Sequence, residues 1–175
     1  MLDPLVTIHS ERAADHELIA DIYRDAFGRD NEARFLEAIR KSADFIPDLS
    51  LVAVRRGELV GHILFSRIGI VTPAGVRSAL GLAPQAVLPK VQRRGIGSAL
   101  VRQGLRRAAG LKHGIAFLVG HPNFYPRFGF RSARPLGFEP PFPVPDEVFL
   151  VNEVLPRSLE GLSGDVVFSE PFSLL

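Results

Sequence analysis

Apolar residues recur at helical spacing in "HELIADIYRDAFG" (His16–Gly28), at Leu18, Ile19, Ile22, Tyr23, Ala26 and Phe27, and Gly28 supplies a stop. A second helix is predicted over "DNEARFLEAIRKS", with Asp30 as its N-cap and Phe35, Leu36 and Ile39 as its buried stripe. The period then changes. "LVTIHS" (Leu5–Ser10) reads as a first strand, and "LSLVAVRR" and "LVGHILFSRIGIV" as a hairpin turning at Gly57-Glu58. Pro73–Gly75 marks another turn. "ALGLAPQAVLP" (Ala79–Pro89) reads as a strand that Pro84 must bulge or leave locally unpaired, because proline has no N–H to donate.

A third helix starts inside "QRRGIGSALVRQGL" (Gln92–Leu105). Ile96, Leu100, Val101, Gly104, Leu105 and Ala108 share one face, opposite Arg102, Gln103 and Arg106. "GIAFLVG" (Gly114–Gly120) suits a short buried strand, "HPNFYPRFGF" a loop with one helical turn, and "EVFLVNEVL" (Glu147–Leu155) a late strand. "PLGFEPPFPVPDE" reads as an ordered loop. Hairpins early and a strand–helix–strand unit in the middle predict a mixed α/β sheet in a single domain spanning residues 1–175.

Composition narrows the chemistry. Hydrophobic residues make up 46% of 175, enough for a sizeable core. The absence of cysteine removes disulfides, thiolate metal sites and cysteine nucleophiles. The five histidines are scattered with no His-x-x-x-His pair, so no metal site is expected, and no Gly-x-Ser-x-Gly elbow occurs. The N-terminus carries Asp3 and Glu11 and lacks a long apolar segment, and no apolar run reaches membrane-spanning length. A cytoplasmic protein without membrane association is the expectation. A net charge of +2 does not argue for nucleic acid. Arg102, Arg106, Arg107 and Lys112 are explained by a solvated helix face better than by RNA binding.

Strand, glycine turn and helix together make an anion site, because the turn aims several N–H groups at one spot and the helix N-terminus adds about half a positive charge. A Rossmann fingerprint fails, since Leu100 stands where its third glycine or alanine belongs. A P-loop fails, since no lysine precedes Ser98. An amphipathic helix started by glycine, with solvated arginines, is the plain alternative. The pattern Gln92-Arg93-Arg94-Gly95-Ile96-Gly97 resembles the pyrophosphate loop of the GNAT superfamily of N-acetyltransferases. "QAVLP" before it resembles that family's fourth strand, and Tyr125-Pro126-Arg127-Phe128-Gly129-Phe130 its later tyrosine turn. "GHPNFY" and "FPVPDEVF" are similar to the YhbS-like branch, as are "NEARFLEAIR" and "GHILFS". The resemblance covers patches from Asp25 to Phe168.

It implies an α/β GNAT fold, with a central mixed, mostly antiparallel sheet splayed between its fourth and fifth strands and flanked by helices. It implies acetyl-CoA as cosubstrate, with no metal, and attack of a primary amine of a small molecule or protein on the thioester. Ala86 and Val87 would bind the pantetheine and acetyl end, and Arg93, Arg94, Gly95, Ile96, Gly97 and Ser98 the pyrophosphate. Asn123 would hold the loop or the CoA arm. Tyr125 is the implied general acid, since a phenol is protonated at neutral pH; a packing tyrosine among Phe124, Phe128 and Phe130 is the alternative. No acid lies in "ALGLAPQAV", where many family members carry a glutamate. Glu32, in phase with Phe35, Leu36 and Ile39, is the substitute base; a first-turn glutamate answering the helix dipole is the alternative. His121 is a further base candidate, and a water chain or a substrate that arrives neutral would also suffice, whereas His62 is expected to be a strand residue satisfied by a neighbour. A non-catalytic acyl-CoA sensor stays open, as does a homodimer. Acceptor specificity would fall to Asp25–Ser42 and Leu136–Asp146.

Overall fold

The computed structural model describes residues 4–175; Asp3, cited above for the character of the N-terminus, lies outside them. In chain order the elements are β1 (Val6–Ser10), α1 (His16–Phe27), α2 (Asn31–Arg40), β2 (Ser50–Arg55), β3 (Glu58–Thr72), β4 (Gly75–Val87), α3 (Ile96–Gly110), β5 (Ile115–Val119), β6 (Arg131–Ser132), β7 (Phe138–Glu139), β8 (Phe149–Glu153) and β9 (Gly164–Val167). The chain divides into two units. The first holds the residues up to Ser66, Ala83–Arg107 and Glu170–Leu175, the second Arg67–Leu82 and Ala108–Ser169. Strands β3 and β4 each begin in one unit and end in the other.

In the first unit β2 pairs antiparallel with both β1 and β3. Residues 60–66 of β3 are all buried because helices cover both of its faces. Tyr23 of α1 meets His62 on one face. On the other, Gly61 and Phe65 meet α3. A Cβ on Gly61 would lie 3.2 Å from the Leu100 Cδ1, and one on Gly104 would overlap the Phe65 ring. The mid-helix glycine is therefore a contact requirement that lets α3 lie close to β3.

Three local expectations change. The hairpin turns at Arg56-Gly57, whose φ angles of 52° and 80° form a two-residue primed turn, and Glu58 already pairs with Arg55 in the ladder. Asp30 sits at the N-cap of α2 without capping it; its carboxylate accepts from the Arg24 Nε at 2.8 Å instead. Strand β4 begins at Gly75, four residues earlier than expected, because Gly75–Ser78 form an exposed arm of its hairpin with β3. Gly28, as expected, ends α1 in the left-handed conformation.

The second unit shows the expected mixed sheet. Strand β5 runs parallel to β4 at Leu80↔Ala116 and Gly81↔Phe117 and antiparallel to β8 along its whole length. The short strands β6, β7 and β9, which the sequence pattern does not reveal, add to this unit through β8 and β3. Its core centres on Phe117, whose ring lies 5.1 Å from Phe138 and 5.7 Å from Phe149.

A buried polar cluster holds α1, α2, β2 and β3 of the first unit together. His62 is fully buried. Arg40 grips Glu11 with two bonds of 2.8 and 3.0 Å, and the Ser50 hydroxyl donates to the same carboxylate at 2.7 Å. The Ser50 oxygen then accepts from His62 Nε2 at 2.8 Å, which leaves Nδ1 to accept from the Tyr23 hydroxyl at 2.9 Å. A neutral imidazole protonated on Nε2 satisfies every partner, so His62 is satisfied by neighbours as expected.

Burial pushes the His62 imidazole below its ordinary value of 6.5. Burial would raise Glu11, but bonds from His62, Arg40 and Ser50 outweigh it and hold the carboxyl well below its ordinary 4.5. Both folded values are depressed, so both groups contribute stability above their unfolded values and lose it as pH falls. The melting temperature is expected to be flat near pH 7–8, to fall below about 6.5 as the unfolded chain takes up the His62 proton, and to fall further below about 4.5. In His62→Gln the first of these declines should shrink in a thermal-melt series to the part that His113 contributes, whose imidazole burial also pushes down.

Candidate functional site

At the end of β4, successive residues present their backbone groups to different edges. Leu88 donates its N–H to the Val60 carbonyl at 2.9 Å, and the Ala86 carbonyl lies beside Gly61, so both face β3. Backbone groups alternate along a strand, which turns those of Gln85 and Val87 to the opposite edge. Two glutamines tie this segment to the loop and helix after it. Gln92 donates to the Val87 carbonyl at 3.0 Å, and Gln85 to the Gly97 carbonyl in the first turn of α3 at 2.9 Å.

The loop between β4 and α3 turns through two left-handed residues, Arg93 at φ 60° and Gly95 at φ 78°. The first α3 bond runs from the Ala99 N–H to the Gly95 carbonyl at 3.0 Å. The N–H groups of Ile96, Gly97 and Ser98 therefore precede the helical ladder. Alternating left-handed residues, three such N–H groups and the positive end of a 15-residue helix form a concave anion cradle. Arg93 and Arg94 beside it are exposed, and neither pairs with a carboxylate among the described residues. The geometry thus brings together Ala86, Val87 and the whole stretch from Arg93 to Ser98.

Tyr125 lies in the second unit, at the start of a single 3-10 turn (Tyr125–Phe128) that ends at Gly129 with φ 91°. The turn hangs from His121, whose carbonyl accepts the Phe124 N–H at 3.1 Å. The Tyr125 ring packs edge-on against Phe124 at 4.9 Å and Phe130 at 5.7 Å. Burial pushes its phenol up to about 12. Asn123 is exposed, and its carbonyl accepts from Arg127 at 3.3 Å. His121 is exposed as well.

Glu32, in the first turn of α2, is 3% exposed beside the buried Phe35, Leu36 and Ile39, as its phase predicts. Its carboxylate accepts from the Arg29 Nε at 3.0 Å and from the same guanidinium's Nη2. A cavity of about 780 Å³ elsewhere in the first unit is walled by Leu18, Ile22, Leu59 and Leu88, with Asp25 and Arg56 among its polar residues. None of the candidate catalytic or CoA-binding residues lines it.

Several contributors escape a reading of the sequence. Gly61 and Gly104 interrupt apolar periods, a signal of close approach that could have found them. Asn152 is a lone amide in the apolar strand "FLVNE" and is 6% exposed. Gln85 carries no such signal, since a polar residue near a strand end is unremarkable.

Residues 7–133 match the family model described as an acetyltransferase (GNAT) domain. YjhQ of Escherichia coli strain K12, described as an uncharacterized N-acetyltransferase, is 34% identical over 142 residues, covering 81% of this chain and 78% of YjhQ. The crystal structure of the GNAT family N-acetyltransferase YhbS from Escherichia coli in complex with CoA superposes with a TM-score of 0.89. It is 27% identical and covers 99% of this chain and 96% of its own. A GNAT family acetyltransferase from Brucella melitensis in complex with acetyl-CoA has a TM-score of 0.78 at 28% identity, covering 95% and 97%. No helix among the described residues is long and apolar enough to cross a membrane.

Proposed function

We propose that this chain, which belongs to the GNAT acetyltransferase family and has its α/β fold, moves the acetyl group of acetyl-CoA directly onto a primary amine of a small molecule or protein. The observation that carries this reading is the anion cradle at the start of α3, tied through Gln85 to the end of β4. A linear ligand with a pyrophosphate at one point and amide groups along an arm matches that combination. The complexes of the two similar proteins with CoA and acetyl-CoA support it.

In the proposed reaction the cradle N–H groups hold the pyrophosphate, and the Val87 edge holds the arm as an added strand would. The amine nitrogen attacks the thioester carbonyl carbon and a carbon–nitrogen bond forms. The carbon–sulfur bond breaks, and the thiolate takes the phenolic proton of Tyr125. Glu32 takes the proton that the amine sheds, and solvent returns both residues to their starting state. With no cysteine in the chain to carry the acetyl group, direct transfer is the simpler course.

Gly95→Val tests the cradle. Valine is β-branched and strained by about 1–2 kcal/mol at the left-handed φ this position needs, which corresponds to about 5- to 30-fold in affinity. Calorimetric titration is expected to show CoA binding weakened at least that much, with the thermal melt little changed. Unaltered affinity would remove the cradle from the CoA site.

A further inference from the structure

We propose that Asn152 and Gly120 are positioning residues for Tyr125, fixing the phenol where proton transfer needs it; this rests on the reading of Tyr125 as the acid. The two act at opposite ends of the tyrosine turn. At the far end, Asn152 on β8 donates its side-chain N–H to the Phe128 carbonyl at 2.8 Å. That carbonyl belongs to the last residue of the 3-10 turn, next to Gly129, whose N–H closes the turn on Pro126. The same amide nitrogen lies 3.1 Å from where a Cβ on Gly129 would stand, so the left-handed glycine also makes room for it. An amide buried in an apolar strand is costly without a partner, and the turn supplies one.

At the near end, Gly120 forms the floor beneath the ring. A Cβ there would sit 2.6 Å from Tyr125 Cε2, closer than side chains tolerate. Gly120 is itself fixed, because its N–H donates to the Val148 carbonyl at 2.9 Å. The ring is thus held by Gly120 below, Phe124 and Phe130 at its edges, and a turn pinned by Asn152. Arg127 braces the middle, stacked 4.9 Å over Phe124 while its Nε donates to the Phe124 carbonyl at 2.9 Å. A displacement of about 1 Å in a proton donor is enough to lose on the order of 100-fold in rate.

The test uses the full chain with acetyl-CoA and its best amine acceptor. Asn152→Asp keeps the shape but replaces the N–H donor with an oxygen facing the Phe128 carbonyl. Asn152→Leu removes the donor outright, and Gly120→Ala lifts the ring. Each is expected to lower kcat roughly 10- to 100-fold with KM for acetyl-CoA within about threefold of wild type. Each should lose little more when combined with Tyr125→Phe, since a misplaced acid and an absent one fail at the same step. If Tyr125→Phe is impaired while all three variants turn over normally, the positioning roles are overturned and the acid reading stands. Defects that multiply fully with Tyr125→Phe would also overturn them, as the signature of a general structural effect. A Tyr125→Phe enzyme with full activity would overturn the acid reading and the positioning roles with it. Should Asn152→Leu fail to fold, Asn152→Asp and Gly120→Ala carry the same comparison.

Discussion

Tyr125→Phe is expected to lower kcat by about 100-fold or more, a loss of roughly 2.7 kcal/mol or more of transition-state stabilisation. Affinity for acetyl-CoA should stay within about twofold, because the phenol acts on charge that develops only as the thiolate leaves. Phenylalanine keeps the edge contacts with Phe124 and Phe130 and removes only the hydroxyl. The pH profile makes the expectation sharper. Burial holds the phenol protonated up to about 12, so wild-type kcat should show no alkaline decline from loss of this proton between pH 7 and 10. The Glu32→Gln variant should lose rate by removing the proton acceptor while leaving the Tyr125 contribution intact. Steady-state kinetics of both variants from pH 6 to 10 separates the two roles.

Glu11→Gln is expected to cost about 3–5 kcal/mol of folding stability, as breaking one side of a buried ion pair does. The Glu11 side chain is 4% exposed and Arg40 is 14% exposed, so the guanidinium left behind has little solvent to turn to. Ser50 and His62 lose their shared acceptor as well. For a chain of this length the change corresponds to a fall of roughly 6–20 °C in melting temperature. Glu37→Gln is the control. Its partner Lys41, one turn on, is as exposed as Glu37, and such a surface pair contributes little. Thermal and denaturant melts of the two variants should differ accordingly; equal effects would mean that the Glu11 cluster contributes no more than a surface ion pair.

The legible parts of this fold are those where one residue type settles the local geometry. Gly28 ends α1, the apolar run of β5 lies buried, and the two glycines of "RRGIG" open α3. The hairpin turn lies one residue before its expected place because Arg56 adopts a left-handed φ that glycine would be expected to take alone. Strands β6, β7 and β9 have two to four residues each, too short for any period, and their pairing is decided by long-range partners. The cradle is readable because its chemistry is written in backbone, through glycine positions. The Asn152 bond to the tyrosine turn and the Glu11 cluster are not, because each joins residues tens of positions apart that share no local pattern. Asp30 shows the same limit on a smaller scale: the residue type suits a cap, but Arg24 holds its carboxylate elsewhere.

The central claim is acetyl transfer to an amine, and its most direct test is release of free CoA thiol from acetyl-CoA across a panel of primary amines. Polyamines, amino acids, aminoglycosides and lysine-containing peptides cover the main acceptor classes. Thiol release that depends on one class, with the acetyl group recovered on the amine nitrogen, is the expected result. Tight binding of acetyl-CoA with no amine-dependent release from any class would contradict it and identify the chain as an acyl-CoA-binding module that does not turn its ligand over.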